Sequence, residues 1–112
     1  MDHQRILDFW FTESRDKWFL KKESFDNKIR SEFFPIYEEI RFGKKFEWEG
    51  NPYSLLAMII VLDQFPRNMF RNMAKAFETD HQALVFAKKA LLQGYDKKIS
   101  PVERVFLYLP FE

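Results

Sequence analysis

The uninterrupted apolar run from Leu55 to Leu62 constrains this chain more than any other feature. A helix that is apolar on every side has to be surrounded, so the rest of the chain must wrap around it. By length alone the run also fits a buried strand. Asn51-Pro52 just ahead of it argues for a helix, because asparagine caps helix N-termini and proline suits the first turn. The run stops against Asp63-Gln64-Phe65-Pro66-Arg67-Asn68, so a carboxylate, two amides and a guanidinium stand where a buried helix ends. Phe65 precedes proline and is biased out of helical geometry, so the helix is expected to run through Gln64 and break there.

At 112 residues the chain is expected to be one domain with a single core. Aromatic residues make up 19% of it, which excludes a disordered chain, since such chains lack the bulky side chains that offset ordering entropy. A formal charge of +1 gives no global attraction to nucleic acid or anionic lipid, so neither is an expected partner. The absence of cysteine excludes disulfides, thiolate zinc sites and cysteine nucleophiles, and it fits a cytoplasmic location. The apolar run is far short of the roughly 20 residues that cross a bilayer. The N-terminal Met1-Asp2-His3-Gln4-Arg5 does not read as a secretory signal.

Helical spacing recurs along the rest of the chain. Ile6, Leu7, Phe9, Trp10 and Phe11 predict a short helix after Asp2, followed by a turn at 14–16 and an apolar plug at Trp18-Phe19. Phe25, Ile29, Phe33, Ile36 and Ile40 form one stripe of a second helix, with Ser24 as its expected cap and Gly43 as its stop. Pro35 lies inside that stripe and is expected to kink or split the helix. Glu47 to Gly50 reads as a polar connection. Thr79 and Gln82 have capping-box spacing ahead of a fourth helix, whose Ala83, Ala87 and Ala90 align with Leu84 and Leu91 and which Gly94 ends. Ser100 and Glu103 repeat that spacing for a fifth, with Val102, Val105, Phe106 and Leu109 as its stripe. No segment carries a hairpin signal, so the expected fold is all-α, with short connections and antiparallel helical hairpins.

Four stretches together resemble a known family. They are Ile6 to Phe11, Leu62 to Arg71, Ala76 to Asp80, and Phe106 to Glu112, with Asp63-Gln64-Phe65-Pro66-Arg67-Asn68 the most specific string among them. The family is the bacterial domain of unknown function 924, grouped with the tetratricopeptide-like helical superfamily. The resemblance implies a tetratricopeptide-like array and supplies no reaction, substrate or catalytic residues. Family members run on past the Leu-Pro-Phe-Glu string, so the resemblance also implies a chain truncated at Glu112. Phe106 to Phe111 is no polar cap, and self-association through the C-terminal helix is expected.

Asp63, Gln64, Arg67, Asn68 and Arg71 are the candidate ligand-binding residues. One reading makes Asp63 and Arg67 an ion pair that locks the helix end, with Gln64 and Asn68 satisfying freed backbone groups. The other points Arg67 and Asn68 into a pocket for a carboxylate or phosphate, which arginine's planar fork matches. Arg67, Arg71 and Lys75 recur at one-turn spacing and would make a basic stripe if that segment were helical. Asp80 and His81 are too few for a metal site, and neither they nor His3 belong to a nucleophile motif, so no metal, cofactor or catalytic residue is assigned. Asp8, Asp63, Asp80 and Glu112 are the carboxylates open to acid–base work, and Trp10, Phe11, Trp18, Phe19 and Trp48 are core residues or a pocket lining. The leading expectation is a binding module for a peptide or protein partner. The alternative is an enzyme or small-molecule binder that takes an anionic ligand near 63–71.

Overall fold

The structure, a computed structural model, describes every residue from Met1 to Glu112. It is all-helical, with no strand. Six α-helices follow in order: α1 (His3–Asp8), α2 (Glu23–Arg41), α3 (Pro52–Asp63), α4 (Phe65–Met69), α5 (Asp80–Leu92) and α6 (Pro101–Tyr108). Short 3-10 segments, such as Arg15–Lys17 and Phe46–Gly50, fill the connections. No helix is long and apolar enough to cross a membrane.

The apolar run forms α3, and α3 touches all five other helices. Every residue from Ser54 to Asp63 is buried, which is what an all-round apolar helix requires. Its start follows the sequence reading: Asn51 Oδ1 accepts from the Tyr53 amide at 2.9 Å and the Ser54 amide at 3.3 Å. Ala83, Ala87 and Ala90 are buried on α5, where small side chains let that helix approach α3 closely. Leu91 lies outside this contact and is exposed, contrary to the expected stripe.

The α2 stripe is buried as spaced, but two details of this helix depart from expectation. The helix opens at Glu23, with Lys22 at the cap position and no capping side chain, so Ser24 is not the cap. Pro35 neither splits nor ends it, and the helix runs through 19 residues. Pro35 and Ser31, whose carbonyl loses its helical partner, are both exposed, so water can take that bond. Gly43, at φ +79°, closes the helix in the left-handed conformation. Its amide reaches Ile40 O at 3.1 Å, and the Lys44 amide reaches Glu39 O at 2.9 Å, a Schellman pair.

Three other expectations are met in part. After α1 the chain widens into a π-turn over Phe9–Glu13, which keeps both Phe9 and Trp10 in the core. Of the expected plug, Trp18 is half-buried and donates to Trp10 O at 2.8 Å, whereas Phe19 is 79% exposed. On α6, Phe106 and Leu107 are buried and Val105 is exposed, although the Ser100–Glu103 capping box closes as spaced.

Candidate functional site

The junction after α3 assembles from its last turn outward. Asp63 is 4% exposed, and its Oδ2 accepts from Gln64 Nε2 at 2.7 Å. Four residues on, Arg67 donates through Nη1 to the Asp63 carbonyl and stands 3.6 Å from Asp63 Oδ1. The same guanidinium grips Asp80, the first residue of α5, with Nη1–Oδ1 at 3.0 Å and Nη2–Oδ2 at 3.1 Å. Thr79 Oγ1 donates to Leu62 O at 2.7 Å. Thr79 and Arg67 thus satisfy two carbonyls that the end of α3 would otherwise bury unpaired. The capping box expected at Thr79 does not form, because its hydroxyl serves α3 while Gln82 donates to Arg41 O.

Pro66 does separate the helices, but Phe65 is the first residue of α4 and not an extended one. Gln64 between the helices keeps right-handed helical angles, with ψ −45°, and proline falls in the first turn of a new helix, where its missing N–H costs little. Arg30 of α2 closes the other end of α4, donating through Nε to Met69 O at 2.9 Å. Asn68, 6% exposed, and Arg71 both reach Asp26 on α2. The distances are 2.9 Å from Asn68 Nδ2, 2.8 Å from Arg71 Nε and 2.9 Å from Arg71 Nη2.

These partners set the ionisation. Burial pushes the Asp63 carboxyl above its usual range, against the opposing pull of the Gln64 bond and the Arg67 charge. Burial would also raise Asp26, but the bonds from Arg71 and Asn68 outweigh it and hold that carboxyl low. The Asp26 bond in turn raises Arg71. Asp26 therefore stays charged in the folded protein, and its charge is matched.

Two adjoining depressions, each of about 320 Å³, open over this junction. Lys21, Arg67 and Arg71 line both. Gln64, Asn68 and the apolar side chains of Trp18, Phe19, Leu20 and Leu109 complete one, and Asn72 and Phe77 flank the other. All five expected residues are thus adjacent, four of them on this groove, with Asp63 bonded beneath Gln64 and Arg67. Each arginine is held by a two-bond carboxylate clamp, yet Arg67 Nε and Arg71 Nη1 have no acceptor in the protein. Lys21 has no ion-pair partner. The groove therefore offers guanidinium donors fixed in place and one unpaired ammonium, chemistry suited to an anion.

The expected Arg67–Arg71–Lys75 stripe is not formed. α4 ends at Met69, and Lys75 Nζ sits over the Phe70 ring at 4.7 Å instead. Lys21 takes the third basic position, and Asp26 and Asp80 supply the clamps; sequence reading assigned none of these roles. Asp8 is exposed and accepts from Gln4, and His81 is exposed at the start of α5. Trp10 and Trp18 pack with Phe106 in the core, and Trp48 meets His3 edge-on. No group of three His, Asp or Glu side chains gathers with metal-site geometry.

Comparison with known proteins bears on this geometry. The family model described as a bacterial protein of unknown function, DUF924, matches residues 6–112. A solved protein of unknown function from Agrobacterium tumefaciens is 39% identical, with a TM-score of 0.94 over 97% of this chain. This chain spans 62% of the length of that relative. A search of curated proteins gives no match. With the family pattern covering nearly the whole helical array, junction included, the chain belongs to the bacterial DUF924 family.

Proposed function

We propose that the groove over the α3–α4 junction binds a small organic anion, a carboxylate or a phosphate carrying an apolar body. One observation carries this reading. Arg67 and Arg71 are each oriented by a carboxylate clamp, and each keeps an unused nitrogen on a groove that Lys21 also lines. Two clamped guanidiniums with free nitrogens and an unpaired ammonium on one depression can engage a single anion together. Trp18, Phe19 and Leu109 on one side suit the apolar body. Asp63 is the orienter of Arg67 and stays out of direct ligand contact. The test is thermal stabilisation by phenyl phosphate, benzoate and neutral phenol. The expected result is a saturable shift with either anion and none with phenol, lost in Lys21→Gln with the parent melting temperature kept. An equal response to phenol, or a Lys21→Gln response like the parent's, would contradict it.

The second reading is a tetratricopeptide-like array that presents a surface to a peptide or protein partner. Val85 and Leu92 on α5, Val105 on α6 and Phe111 beyond it are exposed, and apolar surface of this kind favours contact with another chain. Sedimentation over a concentration series tests its self-association form. Association that Leu92→Glu weakens supports it, and a monomer throughout counts against it.

A further inference from the structure

We infer a second anion site, for a phosphate group, at the N-terminus of α2, separate from the groove over the junction. A depression of about 220 Å³ lies there, lined by Ser14, Lys17, Lys22, Ser24 and Lys28 among others. α2 is the longest helix, and it starts with no side-chain cap. Its first backbone bond runs from the Asp26 amide to Lys22 O at 3.0 Å, which leaves the Glu23, Ser24 and Phe25 amides ahead of it without helical partners. Free amides and the positive end of the helix dipole favour an anion at this point.

An independent observation comes from Ser14. It is 1% exposed and belongs to the lining, and its hydroxyl makes no hydrogen bond within the protein. A nearly buried side chain whose hydroxyl has no protein partner and lines a depression is free to bond a ligand oxygen there. Charge around the depression agrees. Lys17, Lys22 and Lys28 face it, and its one carboxylate, Glu13, is paired with Arg5. Lys17 has a single contact with Asp16 at 3.5 Å. Of the two acidic residues in the first turn of α2, Asp26 is committed to Arg71 and Asn68, and Glu23 lies outside the lining. Three ammonium groups, a hydroxyl with no protein partner and three backbone amides match the charge and acceptor oxygens of a phosphate monoester.

The site is tested with inorganic phosphate, followed through backbone amide resonances at matched ionic strength. Saturable shifts of Glu23, Ser24 and Phe25 are expected with phosphate and not with chloride. Affinity should fall about tenfold in Lys28→Gln, the loss of one charged hydrogen bond. Ser14→Ala should weaken binding while preserving the amide spectrum of the free protein. Equal shifts with chloride, no saturation at millimolar phosphate, or a Lys28→Gln affinity equal to the parent's would overturn the proposal. Should Ser14→Ala unfold, the Lys28→Gln comparison alone decides.

Discussion

Arg71 meets Asp26 across 45 positions of sequence through two parallel hydrogen bonds, Nε–Oδ2 at 2.8 Å and Nη2–Oδ1 at 2.9 Å. Asn68 donates to the same carboxylate, so one acidic side chain on α2 fixes the last turn of α4 and the second residue beyond it. The Asp26 side chain is only 11% exposed, so these bonds work in a low-dielectric setting where leaving them unmade is costly. The clamp does two jobs. It joins α4 to α2, and it holds the Arg71 fork with one nitrogen unused.

Asp26→Ala removes the acceptor from two donors at once. The expected loss is about 2–3 kcal/mol in urea unfolding, because buried partners of a removed charge keep their desolvation cost. Asp26→Asn, which keeps one acceptor oxygen, should cost less. An Asp26→Ala loss below about 0.5 kcal/mol, typical of a surface change, would show that the clamp is incidental.

The acid-side stability profile should carry contributions of opposite sign. Asp26 and Glu32 are held below their usual values, the latter mainly by the Arg5 hydrogen bond. Their stabilisation is complete above the unfolded-chain value of about 4 and is lost as pH falls through their lower folded values. Asp63 is raised by burial, so its contribution is complete below about pH 4 and is lost as pH rises through its folded value. Asp26→Asn should flatten the profile below about pH 4, and Asp63→Asn above it. Unfolding midpoints measured against pH would refute this if the two variants changed the same limb.

Ala87 is fully buried where α5 meets α3, while Val85 two positions away is exposed. Ala87→Leu should cost about 1–3 kcal/mol by overpacking. Val85→Leu should stay within about 0.5 kcal/mol of the parent. Calorimetric melting of the two variants checks the close approach directly, and a tolerated Ala87→Leu would argue against it.

Thr79 and Ser100 carry the same capping spacing but different roles, and their substitutions should separate them. Ser100→Ala loses a closed capping box, about 1 kcal/mol, and should fray α6 locally. Thr79→Ala strips the Leu62 carbonyl of its donor inside the core and should cost about 1–2 kcal/mol as a global loss. Hydrogen exchange distinguishes the two: raised exchange confined to α5 in Thr79→Ala would mean that the residue is only a local cap.

That contrast shows what could be read from the chain. Asn51-Pro52, the Leu55–Leu62 run, Gly43 and the Ser100 box depend on neighbours within a few positions, so their roles were visible before any tertiary contact. Thr79 was misread because its hydroxyl had a better use 17 positions away, where a buried carbonyl would otherwise go unpaired. Pro35 does not split α2, because it lies off the apolar stripe on the wet side of the helix, where water can take the freed carbonyl bond. The junction followed the same division. Gln64, Arg67, Asn68 and Arg71 stood out as polar groups at an apolar exit. Lys21, Asp26 and Asp80 arrive from other elements and leave no local trace, and the π-turn at Phe9–Glu13 has no spacing signature that distinguishes it from α-helix.

The arginine side-chain N–H resonances during a phenyl phosphate titration test the groove most directly. Arg71 Nε is bonded to Asp26 and Arg67 Nε is free, so the two report on clamp and ligand separately. A saturable shift of the Arg67 Nε–H, with the Arg71 Nε–H protected from exchange before and after addition, is the expected result. An Arg67 signal that never responds, or an Arg71 signal that exchanges as fast as a solvated guanidinium, would contradict the account.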